Sequence, residues 1–267
     1  MKKATLYALS AICFGLMMSC KKDSVVSNQQ PETSDQQLTK VIRTTNLSSV
    51  SYDEVINYQY NEEGKIISEG KKTYVRDDLQ RIVRIFNANT CDGRPDTRVY
   101  YSEADPSQVS YTFCQLDAIG ATDSVVYVHT NGRLTKTMSY VHYFTTTAYP
   151  GKTSLEKYNV FKYDDQGNLS KANSYSIDPA SGDTVRCGQY SFKDYYNTAN
   201  PLYSEDEVRT IEVGYEGLIN SSKNNFFSIG RYTKDYEYRA DGRPRTCMVK
   251  YNGSLVFKLT FEYKAPF

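Results

Sequence analysis

The chain has 267 residues, with 32 lysines and arginines against 31 aspartates and glutamates, so its formal charge is +1. That balance excludes a partner held by net charge alone, nucleic acid and anionic membrane among them, and the length suits one all-β domain. There are 25 tyrosines and no tryptophan, a usage that fits half-covered sheet, where the ring covers apolar surface and the hydroxyl stays in water.

Residues 1–19 read as an export signal: Lys2 and Lys3, then an apolar run over 4–18. A permanent bilayer span takes roughly 20 apolar residues, and this run is shorter. It ends Leu16-Met17-Met18-Ser19-Cys20, which resembles a bacterial lipobox, with Met17 where leucine is usual. The resemblance implies cleavage before Cys20 and acylation of Cys20, which would anchor the chain in a membrane. Residues 20–39 are polar, contain one proline and hold no lasting periodicity, so they read as a flexible tether spanning roughly 25 Å. Within it, Asp23-Ser24-Val25 resembles the triplet that Bacteroidota O-glycosylate in exported proteins, making Ser24 a candidate modification site. Asp123-Ser124-Val125 and Asp183-Thr184-Val185 share the pattern.

Residues 40–267 read as a single antiparallel β domain. Candidate strands cover 54–60, 65–69, 81–86, 97–102, 108–114, 124–129, 133–141, 155–163, 169–177, 185–192, 208–213, 232–238, 245–251 and 255–263. The pattern alternates: Tyr232, Tyr236 and Tyr238 share one face and Thr233, Asp235 and Glu237 the other, while Phe257, Leu259, Phe261 and Tyr263 lie opposite Lys258, Thr260 and Glu262. Period two marks strands with one covered and one wet face. A unit recurs between strands: Tyr60-Asn-Glu-Glu-Gly64-Lys-Ile66, Tyr163-Asp-Asp-Gln-Gly167-Asn-Leu169 and Tyr238-Arg-Ala-Asp-Gly242-Arg-Pro244. Its glycine meets the need for positive φ where a short hairpin loop closes. Asn131-Gly132 and Asn252-Gly253 mark tighter hairpins. Only 193–207 lacks alternation and reads as a short helix or an ordered crossover.

The Tyr-x-x-x-Gly turns resemble, loosely, the tyrosine–aspartate repeats of large bacterial shell proteins. More closely, the chain resembles a Bacteroidota lipoprotein family of unknown function with a porin-like fold. The residues that carry this likeness are Asn200-Pro-Leu-Tyr203, the run Tyr236 to Pro244, and Thr260-Phe-Glu-Tyr263. The resemblance implies a wide antiparallel meander, a curved sheet or barrel, and no activity. Charged residues on outward faces, Asp235, Glu237, Lys258 and Glu262, do not form the lipid-facing band of a membrane-spanning barrel.

Four cysteines besides Cys20 remain in the exported chain: Cys91, Cys114, Cys187 and Cys247. They are candidates for disulfides, Cys91–Cys114 foremost because the two flank one strand-and-loop excursion, or for buried free thiols. No spacing among them suits zinc. His129 and His142 flank the Asn131-Gly132 turn; in register, His129 falls beside Leu134 and His142 lies far from any shared metal. The acidic pairs Glu62-Glu63, Asp77-Asp78 and Asp164-Asp165 sit in turns, where carboxylates serve solvation and local hydrogen bonds; a further run is Glu205-Asp206-Glu207. No nucleophile elbow or phosphate loop is present. The sequence therefore predicts a non-enzymatic lipoprotein of the outer membrane, without cofactor or metal and without nucleic-acid binding. Its tyrosine-rich sheet would act as an interaction surface for a polysaccharide or another envelope component. The alternative is a hydrolase with a carboxylate pair in the barrel mouth.

Overall fold

The computed structural model describes residues 37–47, 50–87, 96–116, 121–143, 151–178, 180–203, 209 and 224–264. The described part of the compact unit Thr33–Phe267 is built of sixteen antiparallel strands. They are β1 Leu38–Leu47, β2 Val50–Tyr60, β3 Ile66–Glu69, β4 Lys72–Arg76, β5 Ile82–Asn87, β6 Asp96–Tyr101, β7 Val109–Leu116 and β8 Ala121–Thr130, followed by β9 Arg133–Tyr143, β10 Thr153–Tyr163, β11 Leu169–Ile177, β12 Thr184–Ala199, β13 Asn224–Ile229, β14 Tyr232–Tyr238, β15 Pro244–Tyr251 and β16 Ser254–Tyr263. Each strand pairs with its neighbours in sequence, and β1 pairs with both β2 and β16. The meander thus closes into a barrel, and closure removes the sheet edges that would otherwise recruit other chains.

Thirteen of the fourteen candidate strands correspond to observed ones, and β1, β4 and β13 come in addition. In β4 (Lys-Thr-Tyr-Val-Arg) only two side chains are apolar, and in β13 adjacent Phe226 and Phe227 break the alternation. β1 begins at Leu38, ahead of the boundary expected at 40. The expected interruption from 193 is strand as far as Ala199. There Asp194 takes φ 56° and the pairing with β13 slips, so the period-two signal is lost although the strand continues. Of the strand expected over 208–213 only Arg209 is among the described residues, and it is helical, which corrects the expectation at that position.

The recurring unit folds the same way each time. In the turns 61–65, 77–81, 164–168 and 239–243 the first amide donates to the fifth carbonyl, at 2.9, 3.0, 2.9 and 2.8 Å, and the fourth amide donates to the first carbonyl. The fourth residue has positive φ: Gly64, Gln80, Gly167 and Gly242. Gln80 hides the second copy from a search for glycine. In the first three turns the side chain of the first residue, Asn61, Asp77 or Asp164, accepts the fifth residue's amide at 2.8–2.9 Å. A register shift falls just before each of these turns, at Tyr60, Arg76, Tyr163 and Tyr238. All four turns lie at one end of the barrel, the end where odd strands begin and even strands finish.

At that end the tyrosines form a collar. Tyr60 donates its hydroxyl to the Leu38 carbonyl (2.7 Å), Tyr101 to Ile82 (3.0 Å), Tyr163 to Leu134 (2.9 Å), Tyr195 to Leu169 and Tyr263 to Pro244 (3.0 Å). Arg76 does the same to Ile66 through Nε and Nη2 (3.1 and 2.9 Å). In each case a residue late in an even strand reaches the opening residue of the strand before it. Bulges interrupt the backbone ladder at this level, and the hydroxyls supply hydrogen bonds there. Those opening residues carry the inward apolar side chains Leu38, Ile82, Leu134 and Leu169, all buried. Four buried clusters line the interior of the described part, and Ile66, Phe161, Leu202 and Tyr232 each pack against two of them. Leu202 belongs to the turn Asn200–Tyr203, where Asn200 Oδ1 accepts the Leu202 amide at 3.1 Å. The family-like motif at 200–203 therefore folds inward onto the core.

One collar bond is typically worth about 1 kcal/mol. Tyr263→Phe, which removes only the hydroxyl, is expected to lower stability by about that amount in urea unfolding. Tyr251→Phe, on an exposed ring, should change it by less than about 0.5 kcal/mol.

Candidate functional site

The residues suspected of chemistry do not converge. Glu62, Glu63, Asp78 and Asp165 are exposed in their turns. Asp77 and Asp164 hold the amides of their own turns, and burial of Asp77 is outweighed by Arg81, so its carboxyl lies below the ordinary value. Residues 205–207 lie outside the described residues, as do Cys20, Ser24 and Cys91. Cys114 is buried on β7; Cys187 is exposed and Cys247 buried, and the last two are free thiols, so no disulfide joins them. Among the described residues no three of His, Cys, Asp and Glu gather as a metal site.

His129 pairs with Leu134 in the expected register. His142 lies between two hydroxyls on the outer face, with Nε2 3.0 Å from Ser124 Oγ and Nδ1 2.7 Å from Thr153 Oγ1. The serine–histidine contact has the spacing of a nucleophile and base. Its third member is a threonine, and the surrounding backbone is paired across β8, β9 and β10, leaving no free amides for an oxyanion. Ser124 is thus a sheet residue in mid-strand, while Asp183-Thr184-Val185 is exposed where β12 begins.

Two buried charges were not legible. Arg209 lies inside the barrel wall with its side chain 4% exposed, and its Nη2 is 3.1 Å from Glu69 Oε2. The same carboxylate accepts the Tyr74 hydroxyl at 2.9 Å, while Tyr58 reaches Oε1 at 3.4 Å. Burial pushes the Glu69 carboxyl up, but Arg209, the Tyr74 hydroxyl and Lys72 outweigh it and leave it below its usual value of 4.5. Burial, with Glu69 second, pushes both tyrosines up. This is a structural latch between β3 and the β12–β13 connection, because neither charge has a role without the other. The second charge is Lys234, 1% exposed, whose Nζ stands 3.7 Å over the Phe226 ring. Burial pulls its amine down to about 8, partly offset by the Cys247 thiol. Lys234 shares strand parity with Tyr232 and Tyr236, and that cationic break in an aromatic face was the signal available in the sequence.

The exposed feature with extent is a row across the outer wall. Cross-strand partners run Tyr100 to Tyr111, Val126, Met138, Tyr158 and Tyr175, from β6 to β11. Tyr100 and Tyr111 stack at 4.3 Å with 10° between planes, and Tyr158 and Tyr175 at 4.6 Å and 14°. Phe86, 37% exposed, lies beyond on β5 under Arg84. The opposite wall is polar and internally paired: Lys40 with Glu262 at 2.7 Å and Lys250 with Asp235 at 2.6 Å.

No protein-family model matches the chain, and no curated protein matches it. Among solved structures it is similar to a porin-like protein from Bacteroides vulgatus, 15% identical with a TM-score of 0.56, over 86% of this chain and 99% of that one. A porin-like protein from Bacteroides uniformis is 12% identical with a TM-score of 0.50, over 86% and 97% of the two chains. At such identities the likeness is one of fold: the chain is an all-β antiparallel barrel of the porin-like kind.

Breaking the latch from one side leaves an uncompensated buried charge, so Arg209→Met is expected to cost about 3–5 kcal/mol in urea unfolding, and adding Glu69→Leu to recover a large part of it. Since the folded Glu69 value lies below the unfolded one, the latch contributes fully above pH 4.5 and is lost as pH falls through the folded value. Acid titration of Glu69→Gln should lack that component. For Lys234 the sign is opposite. Its folded value of about 8 lies under the ordinary 10.5, so folding disfavours the charged amine and stability gains as pH rises past 8. Melting temperature between pH 7.5 and 9.5 should rise in the native protein and stay flat, at a higher level near neutrality, in Lys234→Met, the full effect being on the order of 3 kcal/mol.

Proposed function

We propose that the protein is a lipoprotein of the outer membrane, acylated at Cys20, whose barrel is a non-enzymatic binding module for an envelope component, a polysaccharide foremost. The observation that carries the binding reading is the outer tyrosine row. A contiguous apolar row with a stacked tyrosine pair at each end marks an interaction surface, and hydroxyl tips beside apolar rings suit a partner that is itself both hydroxylated and apolar. The anchoring half rests on the lipobox-like Leu16 to Cys20 and the charged lead before it. The outer faces of β14–β16 and β1 carry Asp235, Glu237, Lys250, Lys258, Glu262 and Lys40, which a lipid-facing wall would not tolerate. The barrel is therefore read as held at the membrane and not threaded through it.

The competing hydrolase needs two carboxylates held about 5–10 Å apart in a cleft. Among the described residues the turn carboxylates are exposed or engaged with their own backbone, and the buried Glu69 is neutralised by Arg209, so no described carboxylate pair favours that reading.

Fractionation and glycan retention test the two halves separately. Acyl labelling should be lost, and the chain released from the membrane fraction, in Cys20→Ser; an unlabelled native protein overturns the anchor. The full chain should be retained on insoluble envelope polysaccharide, and Tyr100→Ser with Tyr158→Ser should reduce retention severalfold. Retention unchanged by both substitutions would overturn the tyrosine row as the binding surface.

A further inference from the structure

The near-neutral sum of charges conceals a division between the two halves of the barrel wall. From β5 to the first part of β12, the outward positions next to the tyrosine row hold Arg84, Arg98, Lys136, Lys162, Lys171 and Arg186. The register fixes their side. Arg84 pairs with Arg98, and Arg98 with Phe113; Lys136 pairs with Val160, Lys162 with Lys171, and Arg186 with Tyr175. Among the described residues the one carboxylate on this outer wall is Asp96, and Arg84 holds it in a two-pronged ion pair. The other carboxylates of this half point elsewhere. Asp105, Asp164 and Asp178 accept amides of their own turns. Glu156, the bulge residue of β10, takes the Tyr143 hydroxyl at 3.1 Å, and Asp123 shares the inner face with Cys114 and Val141. On the opposite half, Asp235, Glu237, Glu262 and Asp53 balance Lys250, Lys258 and Lys40.

We infer that this basic tyrosine wall binds an acidic polysaccharide, one carrying carboxylate or sulfate groups, laid around the barrel across the strands. The inference rests on the binding reading above and specifies its partner. Three features select this occupant. First, among the described residues the cations Lys136, Lys162, Lys171 and Arg186 have no carboxylate beside them on this wall, the one present, Asp96, being held by Arg84 and close to Arg98, so an anionic partner completes them. Second, the row runs across the strands around a convex wall, covering about 24 Å in five steps of about 4.8 Å. A linear polymer can follow that curvature, whereas a flat bilayer would touch a convex wall only along a narrow strip. One strand spacing is also close to the length of a pyranose ring. Third, the paired rings turn their faces to each other, at 10° and 14° between planes, and present edges and hydroxyls. Single-stranded nucleic acid is held by bases stacking on open ring faces; each of these rings already gives one face to its neighbour, and Tyr158 also lies under Lys136 Nζ at 4.8 Å, whereas a hydroxyl-rich chain is met by hydroxyl tips and cations.

Binding of the full chain is measured against four probes: polygalacturonate, neutral dextran, phosphatidylcholine vesicles containing phosphatidylglycerol, and oligothymidylate. Polygalacturonate should bind most tightly, with an affinity that falls as salt rises. Arg98→Gln with Lys162→Gln and Lys171→Gln should weaken it by about tenfold or more, and Lys250→Gln with Lys258→Gln should leave it unchanged. Unaltered circular dichroism melts establish that both variants are folded. Equal binding of dextran and polygalacturonate overturns the acidic partner while leaving the general binding reading standing. Preference for vesicles or oligothymidylate overturns it in favour of that partner, and an unaffected triple variant overturns the wall as the site. Retention of no glycan at all overturns both readings together.

Discussion

The barrel depends on hydroxyl-to-carbonyl bonds at the end where its bulges lie. Bulges one residue from the turns interrupt the ladder around one rim. Tyr60, Tyr101, Tyr163, Tyr195 and Tyr263, with Arg76, cross that level and bind the opening carbonyl of the preceding strand. The rings of Tyr60, Tyr101 and Tyr195 also pack against the clusters that hold Leu38, Ile82 and Leu169, the residues they bind, so one residue supplies both a hydrogen bond and apolar cover. The recurring Tyr-x-x-x-Gly-x-apolar unit becomes intelligible as a single device. The tyrosine closes the rim, the three polar residues and glycine reverse the chain, and the apolar residue starts the next inner layer.

Charges inside such a barrel act against this economy. Burial of Arg209 and Glu69 removes both from water, and their mutual attraction with the Tyr58 and Tyr74 hydroxyls returns part of that cost. What the pair adds is position: it fixes a point of the β12–β13 connection against β3, at a place where an apolar contact would tolerate sliding. Lys234 is governed by its burial instead. Its amine lies on the Phe226 ring and its value falls to about 8, so near neutrality it is held charged against a desolvation cost.

Much of the fold was legible because the signal is local. Alternation and the glycine turns gave thirteen strands, the antiparallel order and the register of His129 against Leu134. Closure was not legible, since the β1–β16 pairing joins residues over two hundred positions apart and leaves no local mark. β4 and β13 were missed for want of alternation, and the Asp77 turn, placed as a turn, was not recognised as a copy of the recurring unit because Gln80 takes the positive φ in place of glycine. The buried pair was hidden for a different reason. Glu69 stands at a strand end beside a glycine, where a carboxylate is ordinarily solvated, and its partner is 140 positions away. The charge asymmetry was invisible because outward lysines look alike on any strand. Only the register places six cations on one wall and shows that the described acids of that half, Asp96 apart, lie in turns or on the inner face.

The repeat constrains a limited set of positions: the collar tyrosine, the turn, and the first inward residue. Outward positions in mid-strand take no part in closing the rim or filling the interior, so folding leaves them free to differ from one hairpin to the next. They do differ, systematically. The hairpins of β14 to β2 spend those positions on ion pairs that satisfy each other, and the hairpins of β5 to β12 spend them on stacked tyrosines and on cations that outnumber the one described acid of their wall, Asp96. A surface whose charges are already paired has little left to offer a partner, whereas like charges gathered on one wall repel one another and weaken the barrel slightly. The cost is one that closure does not require, which makes the wall of β5 to β12 the part of the molecule whose chemistry the fold alone does not explain.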